Sequence, residues 1–126
     1  MRILITGGCG FIGSNLAIFL KGKIKNVKIT SIDNLSRKGS QLNHKRLSRK
    51  KIKNFKINIV DLNKLIKLSK FDLIIHCAAE PAIEVSRKKT EKVFKSNLVG
   101  TFNVLQKCAK DKSNIIYLSS SRVYAI

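Results

Sequence analysis

Gly7, Gly10 and Gly13 follow the apolar run Ile3-Leu4-Ile5-Thr6 in the spacing G-x-x-G-x-x-G. The chemistry that needs this pattern is the holding of a pyrophosphate. Gly7 permits a tight turn off a strand end. Gly10 lacks a Cβ, so a phosphate can approach the backbone. Gly13 lets the following helix pack closely. The first N–H groups of that helix, at Phe11, Ile12 and Gly13, have no intrahelical partner, and the helix dipole adds to their attraction for an anion. Asp33 follows about 20 residues past the turn and ends a second apolar run. A carboxylate there accepts hydrogen bonds from adenosine ribose hydroxyls and repels a 2′-phosphate, which favours NAD over NADP. Arg37 and Lys38 follow closely and would tolerate NADP. Asp61 admits two readings. It is a helix N-cap for Leu62–Leu68, or it lies beside an adenine and accepts from the amino group. Ala78 and Ala79, after Cys77, are small enough for the backbone to approach a ribose. His76 is read as structural.

These groups must be positioned by alternating strands and helices. Residues 2–6 read as a strand and residues 11–21 as a helix ended by Gly22. Ile12, Leu16, Phe19 and Leu20 are spaced to form its apolar face. Residues 27–32 read as the second strand, and a short helix is expected around 41–49 with Leu42 and Leu47 inward. Phe55, Ile57 and Ile59 alternate as a third strand, and Phe71 to His76 carries the continuous apolar run of a central parallel strand. A long helix is expected over 88–110 with Phe94, Leu98, Phe102, Leu105 and Ala109 on one stripe. Asn114 to Leu118 is the fifth strand. The pattern predicts an α/β, Rossmann-like, doubly wound parallel sheet of order 3-2-1-4-5. The glycine turn, Asp33, Asp61, Ala78-Ala79 and Ser119-Ser120 all fall at the carboxyl ends of the strands, where a cofactor would cross.

Composition bounds the rest. The chain has 126 residues, 26 basic and seven acidic, for a net charge of +19. Of the basic residues 20 are Lys, spread along the chain without interleaved aromatic motifs. Selective nucleic-acid recognition is therefore not expected; weak sticking to polyanions, lost by about 200 mM salt, is. No apolar run reaches the ~18 residues of a membrane span. Cys9, Cys77 and Cys108 match no metal spacing, so reduced thiols and a cytoplasmic location are expected, with no metal site.

The pieces Thr6-Gly7-Gly8-Cys9-Gly10-Phe11-Ile12-Gly13, Asp33-Asn34-Leu35-Ser36-Arg37-Lys38-Gly39, Asp61-Leu62, His76-Cys77-Ala78-Ala79, Asn97-Leu98-Val99-Gly100-Thr101 and Ser119-Ser120-Ser121-Arg122-Val123-Tyr124 occur in this order. Together they resemble the extended short-chain dehydrogenase/reductases, the NAD-dependent nucleotide-sugar epimerases and dehydratases. Within that group the chain looks most like the CDP-paratose (CDP-tyvelose) 2-epimerases. The resemblance implies NAD as cofactor, a nucleotide sugar, with a CDP-sugar favoured, as substrate, and a homodimer. It implies transient oxidation of a sugar hydroxyl and return of the hydride. It assigns Ser120 to the reacting hydroxyl and places Asn34, Ser36, Leu62, Cys77 and Asn97 in the cofactor site with the residues above. The family's Tyr-x-x-x-Lys is not found in the sequence, nor is the nucleotide-sugar lobe. Residues 1–126 are thus expected to form one incomplete NAD-binding domain that binds cofactor without turnover by itself. Kept beside this are a nucleotide-sugar 4,6-dehydratase and a non-catalytic binding module that holds NAD or pairs with a full-length partner through the 88–110 helix.

Overall fold

The apolar runs become five short parallel strands in the computed structural model, which describes residues 1–80 and 89–119. They are β1 (Arg2–Thr6), β2 (Lys28–Asp33), β3 (Lys53–Lys56), β4 (Leu73–His76) and β5 (Asn114–Tyr117), in the order β3-β2-β1-β4-β5. The order is the expected one, with β1 central. Ile5 stands opposite Ser31 on one side and Ile75 on the other, and Ile75 opposite Ile116.

Helices cover both faces, as right-handed crossovers between parallel strands require. On one face α1 (Phe11–Lys23) and α2 (Ser40–Arg49) close a core of Ile3, Ile5, Ala17, Val27, Leu47 and Ile75. On the other, α3 (Leu62–Ile66) and α5 (Gly100–Asp111) close one of Leu4, Ile32, Leu65, Phe71, Ile74 and Val104. Between β4 and α5 run α4 (Thr90–Phe94) and a π-helical turn, Lys95–Val99. Among the described residues no helix is long and apolar enough to cross a membrane.

Several local expectations are corrected. Gly22 does not end α1, which runs through Lys23. The third strand is Lys53–Lys56, so Ile57 and Ile59 lie past it. This edge strand begins and ends in Lys, which blunts edge-to-edge pairing. Leu42 is exposed, whereas Leu47 is buried as expected.

The expected face of α5 turns outward, and that of α1 is split: Leu16 and Leu20 pack against the core, whereas Ile12 and Phe19 do not. In α1 the buried residues are Gly13, Ser14 and Ala17, while Ile12 and Phe19 are more than half exposed. In α5 the buried face is Gly100, Asn103, Val104, Lys107, Cys108 and Asp111. The stripe Phe94, Leu98, Phe102 and Leu105 is 47–60% exposed. The physical reason is close approach. Gly100 sits so near Ile59 that a Cβ would meet its side chain at 2.5 Å, and only small or internally bonded residues fit that seam. Lys107 fits because its ammonium reaches the Leu68 and Ser69 carbonyls at 3.0 Å and Asp111 Oδ1 at 2.8 Å.

Candidate functional site

At the carboxyl ends of β2, β1 and β4 lies a cleft of about 650 Å³. The turn from β1 into α1 forms its floor. Gly7 has φ +65°, a left-handed conformation that favours glycine, and a Cβ on it would stand 2.8 Å from Ala78 N and Cα. A Cβ on Gly10 would meet only the Gly7 oxygen, at 3.1 Å, so its outer side opens into the cleft. A Cβ on Gly13 would strike the Gly7 carbonyl and the Gly8 backbone; the close packing is therefore against the turn itself. Gly8, assigned no role from sequence, is equally constrained, because a Cβ there would strike the Ser31 hydroxyl.

The turn's own hydrogen bonds determine which donors remain for a ligand. Gly8 N–H donates to the Ile32 carbonyl (3.2 Å), Cys9 N–H to Asp33 Oδ2 (3.0 Å) and Gly10 N–H to the Gly7 carbonyl (3.0 Å). The N–H groups of Phe11, Ile12 and Gly13 open α1 and have no carbonyl one turn earlier to meet. The first turn of α1 holds no acidic residue of its own, so no side chain within the helix offsets its positive dipole end. All three residues line the cleft.

Asp33 closes the β2 side. Its Oδ2 accepts from Cys9 N and its Oδ1 from Leu35 N (2.8 Å), which aims the carboxylate into the cleft with lone pairs to spare. Asn34, Ser36, Arg37 and Lys38 line the same wall, with Asn34 Oδ1 accepting from Ser36 N at 3.0 Å. Cys77, Ala78 and Ala79 form the opposite wall at the end of β4. Burial, then the Asp33 charge, pushes the Cys9 thiol up to about 12; burial pushes Cys77 up to about 11. Both thiols stay protonated at neutral pH and are poor nucleophiles.

Three expected residues stand outside this cleft. Asp61 caps α3: its Oδ1 accepts from Lys64 N at 3.1 Å and its Oδ2 pairs with Lys64 Nζ at 3.2 Å. That backbone bond holds its carboxyl below the usual range. Leu62 begins the helix behind it. Asn58 and Ile59 line the cleft where Asp61 was expected. Asn97 is turned to the backbone of Glu80, accepting from its N–H at 2.7 Å and donating to its carbonyl at 3.1 Å. Ser120 lies outside the described residues, while Ser119 lines the cleft.

Lys92, Ser96 and Asn43 line the cleft without having been expected from the sequence. Glu80, 8% exposed at its side chain, pairs with Lys92 at 2.9 Å, and both line the cleft with Ser96. Asn43 of α2 donates to the Cys9 carbonyl at 3.0 Å, bracing the turn from outside. Among the described residues no three His, Cys, Asp or Glu group together to hold a metal ion.

A parallel sheet of this order, with a glycine turn into a helix beneath a cleft and an acidic residue ending the next strand, defines a dinucleotide-binding α/β protein. The chain belongs to the NAD dependent epimerase/dehydratase family, whose model matches residues 3–126. It is 40% identical over 129 residues to dTDP-D-glucose 4,6-dehydratase of Dictyostelium discoideum, covering 98% of this chain and 30% of that protein. It is 38% identical over 132 residues to CDP-paratose 2-epimerase of Salmonella typhi, covering 98% and 38%. A solved UDP-glucuronic acid 4-epimerase from Bacillus cereus, in complex with UDP-4-deoxy-4-fluoro-glucuronic acid and NAD, superposes with a TM-score of 0.85 at 29% identity, covering 99% and 42%. The chain therefore spans well under half the length of these relatives.

Proposed function

We propose that this chain is the NAD-binding part of a nucleotide-sugar epimerase. The observation that carries the reading is one cleft floored by an anion-ready helix start and ended by Asp33. The residues present fit the cofactor. Gly10 leaves its backbone open, and the Phe11, Ile12 and Gly13 N–H groups face a pyrophosphate. Asp33, Asn34, Ser36, Arg37 and Lys38 receive the adenosine ribose, and Cys77, Ala78 and Ala79 flank the second ribose. When bound, NAD supplies a hydride acceptor and donor for transient oxidation of a sugar hydroxyl. The protein's part would be to hold it across the carboxyl ends of β2, β1 and β4 through the residues just named. Ser120 is assigned the hydrogen bond to the reacting hydroxyl. Asp61 acts one layer back by capping α3, which Leu62 begins, and Asn97 by holding the Glu80 backbone.

A CDP-sugar is the substrate proposed first, on the resemblance to CDP-paratose 2-epimerase. The 40% identity to a 4,6-dehydratase, against 38% to the epimerase, makes dehydration of a nucleotide sugar the second reading. Tyr117 does not begin a Tyr-x-x-x-Lys, since Ser stands at position 121. Residues 1–126 are accordingly proposed as an incomplete cofactor domain that binds without turnover by itself. The third reading is a non-catalytic NAD-binding module. The exposed stripe Phe94, Leu98, Phe102 and Leu105 is proposed to pair with a second copy. Three free cysteines favour a reducing, cytoplasmic setting.

Titration with NADH, followed by its fluorescence, tests the cofactor reading. Saturable binding that Gly13→Val abolishes is expected. Absence of binding at millimolar NADH by the folded chain overturns it, and epimerisation of a CDP-sugar by the chain alone overturns the no-turnover part.

A further inference from the structure

We propose that His76 is a positioning residue for the dinucleotide: as a neutral imidazole with its proton on Nε2, it orients the Thr6 hydroxyl to hold the Ala78 N–H and so fixes the wall formed by Cys77, Ala78 and Ala79. Its effect on the dinucleotide rests on the cofactor reading above.

Three distances define the relay. Thr6 Oγ1 lies 2.6 Å from His76 Nδ1, Ala78 N lies 3.2 Å from Thr6 Oγ1, and His76 Nε2 lies 3.0 Å from Thr101 Oγ1. The amide of Ala78 can only donate, so Thr6 Oγ1 accepts from it. The single Thr6 proton then points to Nδ1. With Nδ1–H instead, that proton would be left without an acceptor on a residue that is 0% exposed, a costly arrangement. Nδ1 therefore accepts, Nε2 carries the proton, and Thr101 accepts it.

The surroundings hold this tautomer. His76 is 1% exposed. The ring meets Thr6 from β1, Thr101 from α5 and the Tyr117 ring from β5, at 5.4 Å between centroids. None of these is a carboxylate or an amine. Burial without an anionic partner lowers the imidazole to about 4, so the relay persists through neutral pH. Its reach extends to the glycine turn, because Gly7 packs so closely on Ala78 that no Cβ fits between them. A shift of Ala78 moves both walls that a dinucleotide would touch.

Conservative variants separate positioning from bulk. His76→Asn places an acceptor near Nδ1 and loses the Thr101 contact. His76→Gln reaches towards Thr101 and loses the Thr6 contact. Thr6→Val keeps the shape and removes the hydroxyl, and it carries the same comparison should H76Q not fold. Three readouts apply: 15N NMR of the imidazole tautomer, hydrogen exchange of the Ala78 amide, and NADH affinity. The Nε2–H tautomer is expected at pH 7. H76Q and T6V are expected to speed Ala78 exchange and weaken NADH binding about tenfold, the scale of one ordinary hydrogen bond. H76N is expected to stay within about threefold on both. An Nδ1–H tautomer, equal behaviour of H76N and H76Q, or faster exchange spread evenly over β1 and β4 overturns the proposal. If the wild-type chain binds no NADH, the cofactor reading fails, and tautomer and exchange still decide the role of His76.

Discussion

Replacing Lys107 by Met leaves a carboxylate stranded in the interior. Lys107 is 1% and Asp111 4% exposed. The ammonium makes three bonds, to the Leu68 and Ser69 carbonyls and to Asp111, while Asp111 Oδ2 accepts from Phe71 N at 3.1 Å. Met keeps most of the buried stem, so the loss is mainly polar. Removing one partner of a buried ion pair costs about 3–5 kcal/mol, because the other charge stays behind. Against a total stability of about 5–15 kcal/mol for a domain, this is a large fraction. Equilibrium urea unfolding followed by circular dichroism, at unchanged m, measures it. Lys64→Met is the control, since its pair with Asp61 is exposed and its removal is expected to leave the midpoint in place. The double variant Lys107→Met with Asp111→Leu removes the stranded charge and regains part of the loss. It does not reach wild type, because the two carbonyls and the Phe71 N–H lose their partners. A K107M loss no larger than that of Lys64→Met refutes the reasoning.

The imidazole of His76 titrates near 4 in the folded chain and near 6.5 in the unfolded one. The unfolded state thus binds the extra proton first, and stability falls as pH drops from about 6.5 to about 4, by roughly 3 kcal/mol in all. Urea midpoints across that range check it, and a wild-type midpoint that rises on acidification contradicts it. Cys9 and Cys77 act at the other end: their raised values mean stability present below about pH 9 and lost as pH climbs further, visible as an alkaline fall in Tm. Asp33→Asn is expected to weaken NADH binding about tenfold and narrow its advantage over NADPH; an unchanged ratio in paired titrations removes the ribose role. Phe102→Asp, placed on the exposed stripe, is expected to shift the chain to monomer in sedimentation velocity, and a wild-type chain already monomeric at high concentration disposes of the second-copy reading.

The order of the strands, the glycine turn and Asp33 were legible in the sequence because each is local. Short apolar runs separated by helix-length segments allow few sheets, and Gly7, Gly10 and Gly13 constrain a turn whose hydrogen bonds lie within a few residues. Asp33 was legible because it ends the next strand, and parallel pairing brings strand ends together. The buried face of α5 was not legible, and that of α1 only through Leu16 and Leu20. Periodicity finds an apolar stripe, but which side meets the sheet depends on how near the backbones come. Here Gly13, Ser14 and Ala17, and then Gly100 and Val104, fit the seam that Phe19 and Phe102 cannot. Asp61 had two chemically sound roles in the sequence, and the distance to Lys64 N assigned the cap. The Glu80–Lys92 pair, the buried Lys107 and the relay through His76 join groups 12 or more residues apart or across separate strands. No local pattern encodes such contacts; only the tertiary structure, by setting the distances between them, decided what these residues do.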